Sequence, residues 1–273
     1  GVTNGAQLAE HVKKGGNPLT FAQTFPTGTH AMWLYYWLGS LGINPMSDVK
    51  TIVVPPPQMV ANMRVGNMDG FCVGEPWNHR AIMDGIGVTA VTTQDIWKDH
   101  PEKVLGTTRA FIEQYPNAAR ALIMAILDAS RFIEASAENK KATAKLISGK
   151  AYVNAPVQVI EPRFLAQYED GLGNSWKDEH AMAFCKDGSV NFPYHSDGMW
   201  FLTQFKRWGL LKDAPDYAAV AAQVNQTALY AEAAGALKLA VPSSPLRSST
   251  LIDGVVWAGS NPAAYADSFA IKA

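Results

Sequence analysis

Cysteine is almost missing from this chain. Cys72 and Cys185 are the only two in 273 residues, too few for a disulfide framework or a cysteine metal cluster, and they leave the redox compartment open. Charge of either sign is also scarce in excess. Lys plus Arg is 23 against Asp plus Glu 24, a net charge of -1, so no global basic field exists to hold nucleic acid or an anionic membrane. Any anion site must be local. No apolar run reaches the ~20 residues of a membrane-spanning helix. GxSxG, P-loop, GxGxxG and HExxH patterns are absent, so nucleophilic, nucleotide and zinc-protease chemistry have no local support. His79, His100, His180 and His195 lack companions at metal-ligand spacing and read as structural or surface residues. No metal or other cofactor is expected. No repeat of 20–50 residues marks a solenoid. Gly1 to Glu10 hold neither an initiator Met nor a charged n-region with an apolar h-region, the pattern of an excised or processed piece that is silent on export.

What is present is a globular composition: 48% hydrophobic, 10% aromatic and 17% charged. At roughly 150 residues per domain, the length allows one large or two ordinary domains. LTFAQTF (19–25) alternates like a strand and enters a turn at Pro26-Thr27-Gly28-Thr29; AMWLYYWLGSLGI then reads as a mostly buried helix stopped by Gly42. VKTIVV (49–54) is a short buried strand halted by three prolines, and residues 58–66 form a helix closed by Gly66. FCVGEPW (71–77) is strand-like, 78–86 helical, GVTAVTT (87–93) another strand, and DIWKDHPEK a turn with a short helical piece. This alternation makes 19–108 one α/β unit. Helices are expected at about 117–136, 139–149, 156–169 and 201–211, and one or two over AAVAAQVNQTALYAEAAGAL. Residues 170–178 and 184–193 read as loops. Trp200, Trp208 and Trp257 read as packing, and the tail after Pro242 as a segment wrapped over the body.

Three places are suited to chemistry. TFPTGTHAMW leads a turn of Gly and small hydroxyl residues into a helix, where free N–H groups and the positive end of the dipole form an anion cradle, with His30 at its mouth. The same turn serves as a simple cap if Thr27 or Thr29 binds the helix N–H groups. VGEPW puts Gly74 and Glu75 just beyond a strand, where open α/β sheets bind ligands, or else is only a tight turn. DHPEK puts Lys103 among Asp99 and Glu102, either facing a small anion or solvated in a surface charge cluster.

The segments TFPTGTHAMWLYYWLGSLGINP, VKTIVVPPPQMVANMRVGNMDGFCVGEPWN and WKDHPEKVLGTT, continuing into HSDGMWFLTQFKRWG (195–209), together resemble the nitrate- and bicarbonate-binding proteins of bacterial ABC transporters. The resemblance implies an α/β periplasmic-binding-protein fold of two lobes closing on a small oxyanion. The inserted lobe would be 18–106, and 1–17 with 107–273 would belong to the other. Opening elements of that other lobe, which in the family supply an aromatic and an amide-bearing residue to the site, would precede Gly1. By the same resemblance His30 is the anion-contacting histidine, Gly74 the cleft glycine and Lys103 the cationic residue, with Thr29 and Glu75 adjacent. Bicarbonate-binding relatives carry an acidic residue at the position of Lys103 and a bound calcium; a lysine suits an uncompensated monoanion, which implies nitrate, with nitrite next. The implied partner is a membrane permease and the implied location the periplasm. Dimerisation is a further expectation if sheet surface is left uncovered. A cytoplasmic anion sensor of the same fold, or a binding-protein-like biosynthetic enzyme using His30, would share these residues.

Overall fold

The computed structural model describes residues 2–273. Helix α1 (Gly5–Lys13) starts where the Asn4 side chain accepts a hydrogen bond from the Gln7 N–H at 3.0 Å. Strand β1 (Thr20–Gln23), helix α2 (Thr29–Ser40), strand β2 (Lys50–Val53), helix α3 (Met59–Arg64) and strand β3 (Gly70–Phe71) follow. The three strands form a parallel sheet in the order β2-β1-β3, with Thr20 opposite Lys50 and Phe21 opposite both Thr51 and Gly70. Each crossover carries a helix, as parallel pairing requires. The carboxyl ends of the central strand β1 and of β3 therefore open to the same edge of the sheet.

After the sheet the chain is mainly helical: α4 (Trp77–Met83), α5 (Thr93–Ile96), α6 (Arg109–Gln114), α7 (Pro116–Glu134), α8 (Ala137–Ile147) and α9 (Val157–Phe164). A hairpin of β4 (Gln167–Glu169) and β5 (Ser175–Lys177) precedes α10 (His195–Arg207), α11 (Tyr217–Val224) and α12 (Thr227–Ala236). The tail holds β6 (Ser249–Thr250), β7 (Val256–Trp257) and α13 (Pro262–Asp267).

Helix α2 is the centre of the core. Its residues His30 to Leu38 are all buried, which accounts for an apolar run with no polar face. Trp33 lies 5.7, 5.0 and 5.7 Å, centroid to centroid, from Trp97, Trp200 and Phe201. From the tail, Trp257, Tyr265 and Phe269 join the same cluster. The indole of Trp257 donates to the Ser196 carbonyl at 3.0 Å, and that of Trp200 to the Tyr265 hydroxyl at 3.2 Å. Arg207 pins the chain end. Its Nε donates to the Ile271 carbonyl at 2.9 Å and its guanidinium lies 3.7 Å from the Phe269 ring centre. The absence of a side chain at Gly39 makes room for that guanidinium, since a Cβ there would come within 2.6 Å of Arg207 Nη2 and force it to shift. The main core thus joins α2 to segments from both ends of the chain.

Several local expectations change. Residues 87–93 form no strand: Thr89 N–H donates to the Asp170 carbonyl at 2.9 Å rather than to a sheet ladder, and α5 starts at Thr93. The strand over 71–77 shrinks to Gly70–Phe71, because Phe71 is its last paired residue and the chain then turns. The helix expected to run to 169 stops at Phe164, and 167–177 form the β4-β5 hairpin, which turns through Gly171 and Gly173 at positive φ. Helix α10 begins at His195, six residues before the expected start.

Candidate functional site

The first element of the site is the turn between β1 and α2. Gly28 is the N-cap of α2 in extended geometry, and no side chain bonds to the first-turn N–H groups. Neither Thr27 nor Thr29 caps the helix. The Thr29 hydroxyl instead donates to Glu102 Oε1 at 2.8 Å. That leaves the amino end of a twelve-residue helix, with its partial positive charge, facing the crevice beyond the sheet.

His30 is 8% exposed, with its ring fixed on one side. Nδ1 lies 3.1 Å from the Thr24 hydroxyl. Nε2 lies on the opposite side, 3.5 Å from where a Cβ on Gly74 would be. When the hydroxyl donates to Nδ1, the ring proton resides on Nε2 and is aimed into the crevice. Burial lowers the His30 pKa from its ordinary 6.5; the Glu102 charge opposes this, and Lys103 and His100 add to the lowering. His30 is therefore a neutral N–H donor at neutral pH.

Gly74 is presented from the end of β3. The Cys72 N–H donates to the Ala22 carbonyl at 3.0 Å, the Asn78 amide to the Val73 carbonyl at 2.7 Å, and the Trp77 N–H to the Gly74 carbonyl at 3.5 Å. The Cβ it lacks would also sit 3.8 Å from Lys103 Nζ. Three residues distant in sequence, His30, Gly74 and Lys103, thus surround one small volume. That volume is part of a larger open trough of about 1890 Å³, well beyond the 300–1,000 Å³ usual for a small-ligand pocket.

Lys103 is held by its neighbours. Its Nζ donates to Glu102 Oε2 at 3.0 Å, and the lysine side chain is 79% exposed against 34% for Glu102. Burial raises the Glu102 pKa, but Lys103, the Thr29 hydroxyl and His30 outweigh it and hold the carboxyl below its usual range. Upstream, His100 Nδ1 donates to the Pro101 carbonyl at 2.8 Å, so Nε2 accepts from the Thr93 hydroxyl at 2.7 Å. From the tail, Arg247 Nη1 donates to the Asp99 carbonyl at 2.9 Å while Nε and Nη2 grip Asp197, each at 2.8 Å. The cationic loop is thereby fastened to the core.

Glu75 takes no part in this grouping. Its Oε1 accepts from Arg163 Nε at 2.9 Å and its Oε2 from the His79 N–H at 3.1 Å. His79 is a core residue: Nδ1 donates to the Val159 carbonyl at 2.7 Å and Nε2 faces Glu169 at 2.7 Å. Among the described residues no group of three or more His, Cys, Asp or Glu side chains is assembled as a metal site. The thiol of Cys72, in the trough wall, is pushed up to about 12 by burial, with Glu102 adding to the shift, so it stays protonated.

Three contributors escaped the sequence reading. Thr24 pairs with His30 Nδ1, Glu102 links Thr29 to Lys103, and Arg247 anchors the loop from 148 residues away. Thr24 and Glu102 stand inside the motifs that drew attention, but only coordinates show which way they face. For Arg247 nothing in the local sequence gives a signal.

A model of the NMT1-like family matches residues 1–148, more than half of the chain. The chain belongs to the NMT1-like family. Its relatives include the nitrate/nitrite binding protein NrtA of Synechocystis sp., 41% identical over 275 residues, 99% of this chain and 61% of that protein. The bicarbonate-binding protein CmpA of Synechococcus elongatus is 32% identical over 281 residues, 97% of this chain and 61% of the relative. The crystal structure of the periplasmic nitrate-binding protein NrtA from Synechocystis PCC 6803 superimposes with a TM-score of 0.91 at 40% identity, covering 98% of this chain and 71% of that one. The α/β fold of this NMT1-like chain is therefore that of a binding protein. The chain spans about three fifths of the length of the curated relatives it matches.

Proposed function

We propose that this chain carries the anion site of the substrate-binding component of an ABC transporter, and that the anion is nitrate or nitrite. The observation that supports this most is the convergence of His30 Nε2 and Lys103 Nζ, 3.5 and 3.8 Å from one point above the Gly74 backbone. A planar monoanion of diffuse charge accepts weakly at each oxygen, so it needs several donors at once. A neutral imidazole N–H, an ammonium and the amino end of α2 are donors of that kind. With an ammonium on the site, no calcium is needed to balance the ligand. The greater identity to NrtA than to CmpA points the same way.

The role is binding without turnover. The groups around the cavity are donors, the one thiol in its wall is protonated, and the Glu102 carboxylate is engaged by Thr29 and Lys103. Residues 18–106 serve as one lobe of a closing pair, and the partner is a membrane permease that receives the anion on the periplasmic side. Titration of the chain with sodium nitrate, followed by the amide signal of Gly74 and the ring signals of His30, tests the assignment. Both sets should move together along one saturable curve, and nitrite should follow. A response to bicarbonate but not to nitrate, or none at either residue, would refute it.

A further inference from the structure

Glu102 is an odd residue to find in an anion site. Its carboxylate is two-thirds buried, accepts from Thr29 Oγ1 at 2.8 Å through one oxygen and from Lys103 Nζ at 3.0 Å through the other, and so touches two of the residues around the cavity. Building on the anion-site reading above, we infer that Glu102 is a specificity-determining residue that restricts the site to monoanions and rejects dianions such as sulfate.

The argument is one of charge. With Glu102 ionised, Lys103 charged and His30 neutral, the empty site has no net side-chain charge. A monoanion brings it to minus one, which the amino end of α2 partly offsets. A dianion would bring it to minus two beside a fixed carboxylate. Coulomb repulsion from Glu102 scales with ligand charge, so it acts twice as strongly on sulfate as on nitrate in free-energy terms. The penalty factor for sulfate is then the square of that for nitrate. Lysine alone would favour the more highly charged ion; the adjacent carboxylate cancels that preference, so the dianion is left with its greater cost of losing water. The carboxylate is kept in place from both sides: Thr29 is fixed by α2, and the loop at 99–103 by His100 and Arg247. It cannot simply swing away when a ligand arrives.

The test compares the chain with its Glu102→Gln and Glu102→Asp variants, titrated with sodium nitrate and with sodium sulfate at matched ionic strength. The readout is the Gly74 amide and His30 ring signals, which report weak as well as tight binding. The original chain should respond to nitrate and not to sulfate. Glu102→Gln should bind nitrate three- to tenfold more tightly and sulfate ten- to a hundredfold more tightly. Glu102→Asp keeps the charge and should still exclude sulfate. Equal gains for both anions in Glu102→Gln, sulfate binding by the original chain, or acceptance of sulfate by Glu102→Asp would each overturn the inference while leaving nitrate binding intact. No response of Gly74 and His30 to nitrate in the original chain would instead sink the anion-site reading, and this inference with it.

Discussion

Replacing Gly74 with alanine separates binding from folding more cleanly than any other change in this site. The added methyl would find His30 Nε2 at 3.5 Å and Lys103 Nζ at 3.8 Å, ordinary van der Waals contact with nothing closer. Gly74 is also not among the glycines held at positive φ, so alanine meets no backbone strain. The fold should accept it with a change of about 0.5 kcal/mol or less, or gain a few tenths from reduced freedom of the unfolded chain. In the binding mode proposed above, the same methyl fills the space through which an anion oxygen reaches His30 and Lys103. Losing even one charge-assisted hydrogen bond costs about 1.5–3 kcal/mol, so affinity should fall at least tenfold. Thermal unfolding and a nitrate titration on the same preparation measure the two effects. Undiminished nitrate affinity in Gly74→Ala would show that the ligand does not sit between His30 and Lys103. A large drop in melting temperature would show that the turn, not the cavity, requires glycine.

Other outcomes follow from the same geometry. Lys103→Met should weaken nitrate binding by about 1 kcal/mol, the low end of the 1–4 kcal/mol expected for unit charges ~4 Å apart, because the ammonium is largely exposed; Lys103→Glu should abolish binding, and calorimetry distinguishes the two. Thr24→Val removes the hydroxyl 3.1 Å from His30 Nδ1; where that hydroxyl donates and so keeps the ring proton on Nε2, nitrate affinity should fall and the imidazole ¹⁵N shifts should report a mixed protonation pattern. Stability should decline on acidification: burial lowers the folded pKa of both His30 and His100 below 6.5, the unfolded chain takes up protons first, and stability that is complete above pH 6.5 is lost as pH falls below it. Urea unfolding at a series of pH values checks this, with a shallower slope expected for His30→Gln. Trp200→Ala, in the core that joins α2 to the tail, should cost about 3–5 kcal/mol by denaturant unfolding.

The sequence disclosed those parts of the structure that local chemistry dictates. Alternation at 19–25 and the run before three prolines gave two strands of the sheet, and the unbroken apolar stretch after His30 gave its buried helix. The strand expected at 87–93 failed because a strand needs a partner, and the Thr89 amide has one outside the sheet, at Asp170. The hairpin at 167–177 was hidden for the opposite reason: its three-residue strands are too short to show a period and are marked only by turn glycines. At the site, local motifs marked the turns around His30 and Gly74 and the loop of Lys103 but left a helix cap, a tight turn and a solvated charge cluster equally open; the resemblance to the anion-binding family is what named the three residues. The direction of a side chain is not local. Glu75 stands beside Gly74 in sequence, yet Arg163, 88 residues later, takes up its carboxylate.

That pairing explains how the site turn is held. Arg163 is 5% exposed, and its guanidinium reaches Glu75 at 2.9 Å, the Gln167 carbonyl at 2.6 Å and Glu169 at 3.5 Å, with Tyr168 against its face at 4.5 Å. Helix α9 and strand β4 are thereby tied to the residue that follows Gly74. Arg247 does the equivalent from the tail for the loop bearing Lys103. The turn at Gly74 and the loop bearing Lys103 are thus each tied down by an arginine from a distant part of the chain, and a guanidinium group suits that task because it holds several fixed acceptors at once. Removing Arg163 would leave Glu75 with the His79 N–H alone and free its carboxylate to turn toward the cavity. In Arg163→Met, nitrate binding should then fall and the Gly74 amide should shift even without ligand. An unchanged Gly74 signal would show that the turn keeps its shape without the arginine.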